Sequence, residues 1–442
     1  MNSTSEKKFI TSFDKSYSAN IFFKKPDKYR EIENHSKSNE NIITIGSNYS
    51  YAPMGFDKNS LAIDLSSFNR IIDFNPDKKE ITVEAGLNIY NFLKFTLKYN
   101  LWLPQIPGYP FITLGGIVAT NSHGKSCGTH GTIRKSIKKI KLFHKTNGWL
   151  NLTENENKEI FDLTIGGFGL TGTIVAITFK LSDLGSGIFE TSTEEVKSFD
   201  DCYKKISDGK NNEAFIYSWN RADSIKNFGA GFVYKNKLKS DSKTNGYLRK
   251  IKQKKISNFL PFSLWNSLSL NIANNIYYKL QKMQNNKLND DLIKVIFPYI
   301  GKESYFKLFG PKGFVESQIL VPTKNIGIFM DEFSNIFKKY NPVITLFSLK
   351  NMRGEHNFLR FEENSICVSF DFTNTKKNLE FMSFIDKLCI KYKAIPSIIK
   401  DSRLSKKTVE NCYIYYQDFK NKLKNYDNKR IYQSAISNKL DL

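Results

Sequence analysis

The chain has 442 residues, 40% hydrophobic and 14% aromatic with only 12 prolines, which predicts two or three globular domains and excludes a disordered, collagenous or mucin-like chain. Lys and Arg number 66 against 43 Asp and Glu, a net charge of +23. Such a surplus suits nucleic acid, an anionic membrane or an acidic substrate, but Lys, Asn and Ile recur along the whole chain, so a generally basic, solvated surface is the simpler interpretation.

The first part of the chain predicts small α+β units. Short β-forming runs predict strands over 41–45, 61–65, 71–75 and 80–85, the last with polar and apolar residues in alternation. Asn88 is placed to cap a helix that carries Ile89, Phe92, Leu93 and Leu97 on one face. A Gly-rich passage over 104–132 carries few helix signals, and strands are predicted over 137–144 and 173–181. We expect a boundary near residue 185.

The middle of the chain predicts a sheet with helices on one side. Strands are expected over 319–322, 343–349 and 366–372, and amphipathic helices over 328–338 and 379–391. From Thr408 onward, helical spacing predicts one packed helix with an apolar stripe of Val409, Cys412, Tyr413, Tyr416, Phe419 and Leu423.

The cysteines and the N-terminus indicate the compartment. Five scattered cysteines without a C-x-x-C pair predict reduced thiols and neither a disulfide framework nor a metal site. Residues 1–8 lack the apolar core of a signal peptide, and no run of 18 apolar residues follows. We therefore expect a cytoplasmic protein that does not span the membrane.

Residues 167–172 satisfy G-x-G-x-x-G, a pattern typical of Rossmann dinucleotide sites. A helix should follow that pattern, but residues 173–179 are strongly β-forming, which argues against a Rossmann site. Two interpretations stay open: a Gly-rich turn between strands, or a turn whose backbone lies against a cofactor.

Two further loops favour the cofactor interpretation. Residues 46–51 and 115–125 are dense in Gly, Ser, Thr and Asn. Such loops expose consecutive backbone N–H groups and short hydroxyls, which suit a diphosphate.

With these loops, the sequence resembles the vanillyl-alcohol-oxidase type of FAD flavoprotein over nearly its whole length. The resemblance is carried by residues 46–51, 107–125, 166–172, 310–314, 400–403 and 427–434. It implies an α+β fold with a two-part FAD-binding domain of the PCMH type over 1–185, a sheet-and-helix substrate domain over 186–395, and a segment over 396–442 that returns to the active-site region.

The resemblance also implies which residues bind FAD. Covalent members of the family attach the flavin mainly through a His in the first loop, where this chain has Tyr49, so we expect non-covalent FAD. The implied cofactor-binding residues are Gly46, Ser47, Asn48, Tyr49, Ser50, Gly108, Thr113, Gly116, Ala119, Asn121, Ser122, Gly124, Gly169, Gly172 and Ile174.

Substrate residues follow from the sugar-epimerase branch of the family. That branch implies Lys400, Tyr51 and His123 as catalytic residues and Gln318, Lys350 and Cys367 as substrate-binding residues. Without the resemblance, Lys350 and Lys400 would be interpreted as solvated surface residues. Cys367 would be a core-facing residue of a strand, and His123 would cap a turn. Lys400 could be a base with a lowered pKa or a cation that stabilises an alkoxide.

The sequence departs from the sugar-epimerase branch at two places in the predicted substrate domain. Residues 305–310 lack its W-N-x-x-Y-G run, and Glu316 stands where relatives carry Gln.

The implied reaction is oxidation of a secondary sugar hydroxyl. The branch suggests a polyprenylphosphoryl pentose, oxidised at C2′ to the 2′-keto sugar as the first half of an epimerisation in cell-envelope glycan synthesis. Since the chain has no nicotinamide motif in a suitable context, a separate NAD(P)H-dependent short-chain reductase is expected as partner. The alternative is an aldonolactone (gulono- or arabinono-1,4-lactone) oxidase, although no His follows His356 and the last Trp is Trp265, so its C-terminal H-W-A-K-type motif is missing.

A second alternative is a basic membrane-surface protein without catalysis. Residues 243–255 are densely basic and precede aromatic and Leu-rich residues, an order that suits peripheral docking on an anionic inner leaflet. A loop beside an ordinary helix explains the same pattern. The residues concerned are Lys243, Arg249, Lys250, Lys252, Lys254, Lys255, Phe259, Phe262, Leu264 and Trp265. No zinc-finger, RNA-binding or basic-helix motif supports nucleic acid as a partner.

Overall fold

The computed structural model describes residues 6–35, 41–209, 214–239, 250–253, 260–284 and 287–442. Its helices and strands are mixed along the chain, as the predicted α+β class requires. The strands of the first 185 residues form two larger sheets and a two-stranded ribbon, and most later strands join one large sheet.

The first sheet has the strand order Glu6–Thr11, Ser18–Lys24, Leu61–Asp64 and Ile42–Ile45. The second, antiparallel sheet has the order Ile71–Asn75, Glu80–Glu84, Thr173–Lys180, Ile137–His144 and Gly148–Leu152. Ser182–Asp183 pairs with Leu101–Trp102. The strands predicted in this part are thus confirmed to within a residue at each end.

The helix after Asn88 begins as predicted. It spans Ile89–Thr96, and the Asn88 side chain accepts a hydrogen bond from the Asn91 amide at 2.8 Å. Further helices in this part span Tyr29–His35 and Lys158–Thr164, with 3₁₀ turns at Leu97–Tyr99 and Ile133–Ser136.

Although the passage over 104–132 carries few helix signals, short helices occupy Leu114–Ala119 and Cys127–His130 within it. Thr113 caps the first of them by accepting from the Gly116 amide. A Cβ at Gly115 would lie 2.8 Å from that of Ala85, so glycine allows this helix to lie directly against the neighbouring strand segment.

The large sheet has eight strands and is antiparallel throughout. The predicted strands at 319–322, 343–349 and 366–372 form parts of longer strands within it. The order is Lys287–Asp291, Ile188–Val196, Gly231–Leu238, Phe215–Asn220, Ile344–Met352, Ser365–Thr373, Phe314–Pro322 and Ile395–Pro396.

Helices pack on one face of this sheet, as predicted. Phe333, in the helix Ile326–Tyr340, stacks on Phe370 of the sheet with ring centroids 4.6 Å apart, and Phe381 of the helix Lys376–Tyr392 meets its edge. Because side chains alternate along a strand, the opposite face is left for polar residues such as Gln318. Phe199–Ser207 and the 3₁₀ turns Ile225–Asn227 and Thr323–Asn325 complete this part.

The helix Ser267–Met283, called the outer helix below, precedes two short helices, Leu292–Ile296 and Ser304–Lys307. The tail was predicted as one helix from Thr408, which was wrong. It forms Lys406–Cys412 and Tyr416–Tyr426, followed by Ala435–Leu440. Tyr413 leaves the helix with φ −101° and ψ 98°, and its hydroxyl donates to the Pro396 carbonyl at 2.8 Å. The predicted apolar stripe is nevertheless buried.

The C-terminal segment returns to the first sheet, where the Ile42 amide donates to the Ile431 carbonyl at 2.8 Å. All five cysteines are buried and unpaired. The strand Thr173–Lys180 follows directly after Gly172, so the Gly-rich motif opens a strand rather than a helix. Across the described ranges, no helix has the length and apolar character needed to cross a bilayer.

Candidate active site

A cavity of about 980 Å³ is lined by residues of the N-terminal sheets, the large sheet and the C-terminal segment. It brings together every site residue predicted from the sequence except Cys367. These are Gly46, Ser47, Asn48, Tyr49, Ser50, Tyr51, Gly108, Thr113, Gly116, Ala119, Asn121, Ser122, His123, Gly124, Gly169, Gly172, Ile174, Gln318, Lys350 and Lys400.

The loop over 46–51 forms a cradle of backbone amides on the cavity wall. Within the described part of the chain, no group accepts a hydrogen bond from the N–H groups of these six residues. Asn48 has a left-handed backbone (φ 54°), and its side-chain amide donates to the Thr11 carbonyl at 3.1 Å. A Cβ at Gly46 would come within 2.4 Å of the Thr113 hydroxyl. Consecutive free amides beside small side chains are what a diphosphate requires, so the loop fits the diphosphate of FAD.

On the large-sheet side of the cavity, Glu316 contacts two of the predicted residues, Gln318 and Lys400, and Lys400 contacts a third, Tyr51. Its carboxylate accepts from Gln318 Nε2 at 3.0 Å and from Lys400 Nζ at 3.4 Å. Lys400 Nζ also lies 3.7 Å from the ring centroid of Tyr51, a cation–π contact. Gln318 Oε1 is buried, and no described residue donates to it, so it remains available to a ligand hydroxyl.

Glu316 faces a second buried carboxyl. Asp371 lies opposite it in the sheet and accepts from the Tyr305 hydroxyl at 2.7 Å. Burial raises the pKa of Asp371 well above its usual range, and the nearby charge of Glu316 raises it further. Burial therefore favours the protonated form of Asp371, whereas the Glu316 carboxylate forms an ion pair with Lys400.

Lys350 and Lys302 lie near a third basic side chain of the cavity, Lys125. Burial lowers the pKa of Lys125 well below its usual value, and Lys350 and Lys302 lower it further. Lys125 Nζ donates to the Val295 carbonyl at 2.9 Å. No described carboxylate forms an ion pair with Lys125, Lys302 or Lys350, so this group can take an anion.

His123 is a neutral imidazole in this setting. Burial lowers its pKa well below the usual value, and the charges of Lys350 and Lys400 act in the same direction. Its ring stacks on Phe361 with centroids 5.5 Å apart. His123 can thus orient a hydroxyl without adding charge.

Cys367 is buried and does not line the cavity. It lies opposite Lys350 in the sheet, and burial raises the pKa of its thiol to about 12. Cys367 was predicted to contact the substrate, but its side chain is buried and is not exposed at the cavity wall.

Comparison with known proteins identifies the cofactor end. Residues 30–153 match the family model described as an FAD binding domain. This range includes the amide cradle and the helix capped by Thr113. The chain is an FAD-dependent oxidoreductase.

The relatives of this flavoprotein are also oxidoreductases. A decaprenylphosphoryl-β-D-ribose oxidase of Mycolicibacterium smegmatis is 23% identical over 422 residues, which cover 91% of this chain and 89% of the relative. A probable L-gulonolactone oxidase of Arabidopsis thaliana is 26% identical over 37% of this chain and 29% of the relative. The L-gulonolactone oxidase of Bos taurus is 23% identical over 41% of each chain. The lactone enzymes thus match over much shorter ranges.

Sequence reasoning missed three polar residues of the flavoprotein's cavity. Glu316 was noted only as a departure from relatives, yet it lies two positions before Gln318 and therefore on the same strand face. Lys125 lies two positions after His123. Trp265 has a buried indole N–H to which no described residue offers an acceptor, and it lines the cavity rather than a docking surface.

Non-covalent flavin is the first testable prediction. Tyr49 occupies the position of the His that carries flavin in covalent relatives, and its hydroxyl accepts from Gln253 Nε2 at 2.7 Å. Acid precipitation should therefore release the yellow colour into the supernatant. Added FAD should raise the thermal midpoint, because only the folded chain binds it. A pellet that keeps its flavin absorbance through acid and heat would contradict the prediction.

Proposed function

We propose that this flavoprotein oxidises a secondary hydroxyl of a lipid-linked sugar, specifically C2′ of a polyprenylphosphoryl pentose, to the 2′-keto sugar. The observation that carries the proposal is the match along 91% of the chain to a decaprenylphosphoryl-ribose oxidase, because that match includes the substrate half. By contrast, the probable L-gulonolactone oxidase of Arabidopsis thaliana and the L-gulonolactone oxidase of Bos taurus match over only 29% and 41% of their own length.

The basic group in the cavity supports a substrate that carries phosphate. Lys302 and Lys350 lower the pKa of Lys125, and none of the three forms an ion pair with a described carboxylate. A phosphodiester supplies the missing negative charge. A free aldonolactone is neutral and would bring no negative charge to this group.

Bound FAD supplies the two-electron oxidation of alcohol to ketone. The chain must position the sugar and accept the hydroxyl proton. Gln318 and His123 are placed to orient hydroxyls, and Lys400 to stabilise a developing alkoxide. Glu316 is the anionic group beside them, so it is the side chain that takes the proton.

Inversion of a stereocentre also requires hydride return from the opposite face. The G-x-G-x-x-G segment of this chain runs into the strand Thr173–Lys180 and offers no helix N-terminus to a dinucleotide. We therefore propose that a separate NAD(P)H-dependent short-chain reductase completes an epimerisation in cell-envelope glycan synthesis. A polyprenyl chain stays in a bilayer, so the substrate also implies peripheral contact with a membrane.

The test is anaerobic mixing of the flavoprotein with polyprenylphosphoryl ribose. We expect bleaching of the flavin absorbance, and borodeuteride reduction of the product should place deuterium at C2′. The matched 2′-deoxyribose lipid should not bleach the flavin, and an artificial electron acceptor should sustain turnover with ribose.

The outcome that would reverse this conclusion is efficient oxidation of L-gulono-1,4-lactone with no reaction of the lipid-linked sugar. The aldonolactone oxidase alternative, which the shorter matches to L-gulonolactone oxidases favour, would then stand.

A further inference from the structure

The outer helix, Ser267–Met283, contacts the rest of the protein through polar and aromatic side chains and through the buried Leu270. Asn271 and Asn274 each donate to the Asp223 carboxylate at 3.0 Å. Farther along, the Tyr234 hydroxyl donates to Gln281 at 2.9 Å. A surface helix of a globular protein normally turns its apolar face to the core, so any further apolar row on this helix is additional to its packing face.

A row of apolar side chains on this helix faces outward. Leu268, Ile272, Ile276 and Leu280 follow one another at intervals of four, which places them along one side of the helix. They are 72%, 51%, 55% and 53% exposed, and Met283 beyond them is 82% exposed. A continuous row of this kind marks an interaction site, whereas scattered single residues would not.

The same helix walls the cavity. Asn274, Tyr277 and Gln281 line the cavity from a different side of the helix than the apolar row. Only the thickness of this helix therefore lies between the cavity and any surface that binds the apolar row.

The charge around the helix suits an anionic surface. Between residues 235 and 289 the sequence has twelve Lys and Arg but one acidic residue, Asp241. Among them, Lys279 is exposed beside the apolar row. The predicted docking residues Lys243, Arg249, Lys254, Lys255 and Phe259 lie outside the described residues, whereas Lys250, Lys252, Phe262 and Leu264 are described and exposed.

We propose that the outer helix docks on an anionic lipid bilayer, with Leu268, Ile272, Ile276, Leu280 and Met283 at the boundary between headgroups and acyl chains. An apolar helix face beside Lys residues is the pattern of an interfacial helix, and cations near such a surface add attraction. The biological purpose, delivery of a lipid-linked sugar to the cavity, rests on the proposed function. The docking itself does not require that sugar.

The experiment is flotation of the FAD-loaded protein with phosphatidylcholine vesicles that contain or lack phosphatidylglycerol. We expect binding that is stronger with phosphatidylglycerol, weakens with salt and falls roughly tenfold or more in Ile276→Asp. The matched control is Ile328→Asp, because Ile328 is 53% exposed on another helix. It should bind as the unmodified protein does, and flavin absorbance should show that both variants are folded.

Three results would overturn the proposal: no binding to anionic vesicles by the unmodified protein, equal losses in both variants, or self-association in sedimentation that Ile276→Asp abolishes while vesicle binding is absent. The last result would assign the apolar row to a second copy of the chain. Vesicle binding without turnover of the lipid-linked ribose would instead reject the proposed substrate and keep the docking surface.

Discussion

Lys400→Ala should give a protein that keeps full FAD occupancy but is reduced by substrate on the order of 10²–10³-fold more slowly. Lys400 is a cation on the cavity wall, held between the Glu316 carboxylate at 3.4 Å and the Tyr51 ring at 3.7 Å. Its ammonium contacts the Tyr51 ring and not the backbone amides of the 46–51 loop, so its loss should remove charge stabilisation of the alkoxide without releasing the cofactor. The measurement is the rate of flavin bleaching under anaerobic conditions.

The control for this variant is Lys407→Ala, since Lys407 is exposed on the helix Lys406–Cys412. It should have normal bleaching. Tyr51→Phe should have a smaller defect than Lys400→Ala, because it removes one hydroxyl and keeps the ring beneath the ammonium. Loss of FAD together with activity in Lys400→Ala would make the lysine a structural residue.

Local patterns predicted most of the fold because local forces decide those elements. Asn88 caps its helix, and the strands over 71–75 and 137–144 begin and end where alternation and turn residues place them. The tail was predicted as one helix because its apolar spacing continues through residues 413–415. The spacing of apolar residues carries no information about the tertiary hydrogen bond from Tyr413 to Pro396, which accompanies the break in the helix.

The site was predictable only in part for the same reason. Gly-rich loops indicate a phosphate-binding site from the sequence alone. The pairing of Glu316 with Asp371, in contrast, depends on the register between two strands that are separated by more than forty residues along the chain. The chemistry of each residue is visible in the sequence, and their proximity is not. Cys367 shows the converse: alternation predicted its strand and the core-facing position, but not that Lys350, its neighbour on the adjacent strand, would line the cavity while Cys367 does not.

Glu316→Gln should slow flavin reduction by roughly 10²-fold or more while FAD stays bound. Glutamine has the same shape, but it cannot accept the hydroxyl proton and it leaves Lys400 without its anionic partner. The measurement is the rate of flavin bleaching under anaerobic conditions, with flavin absorbance before mixing as the check on FAD occupancy.

The matched control is Asp371→Asn, which removes the protonated carboxyl and leaves the Glu316 carboxylate in place. It should keep a near-normal rate of flavin bleaching. In the unmodified protein the pKa of Asp371 is raised in the folded state by burial and by Glu316, so its contribution to stability is present at low pH and is lost as the pH rises through that pKa. The free energy of unfolding should therefore fall less in Asp371→Asn than in the unmodified protein as the pH rises above the usual range of an Asp carboxyl. If Glu316→Gln instead reacted at a near-normal rate, Glu316 would not be the group that takes the hydroxyl proton.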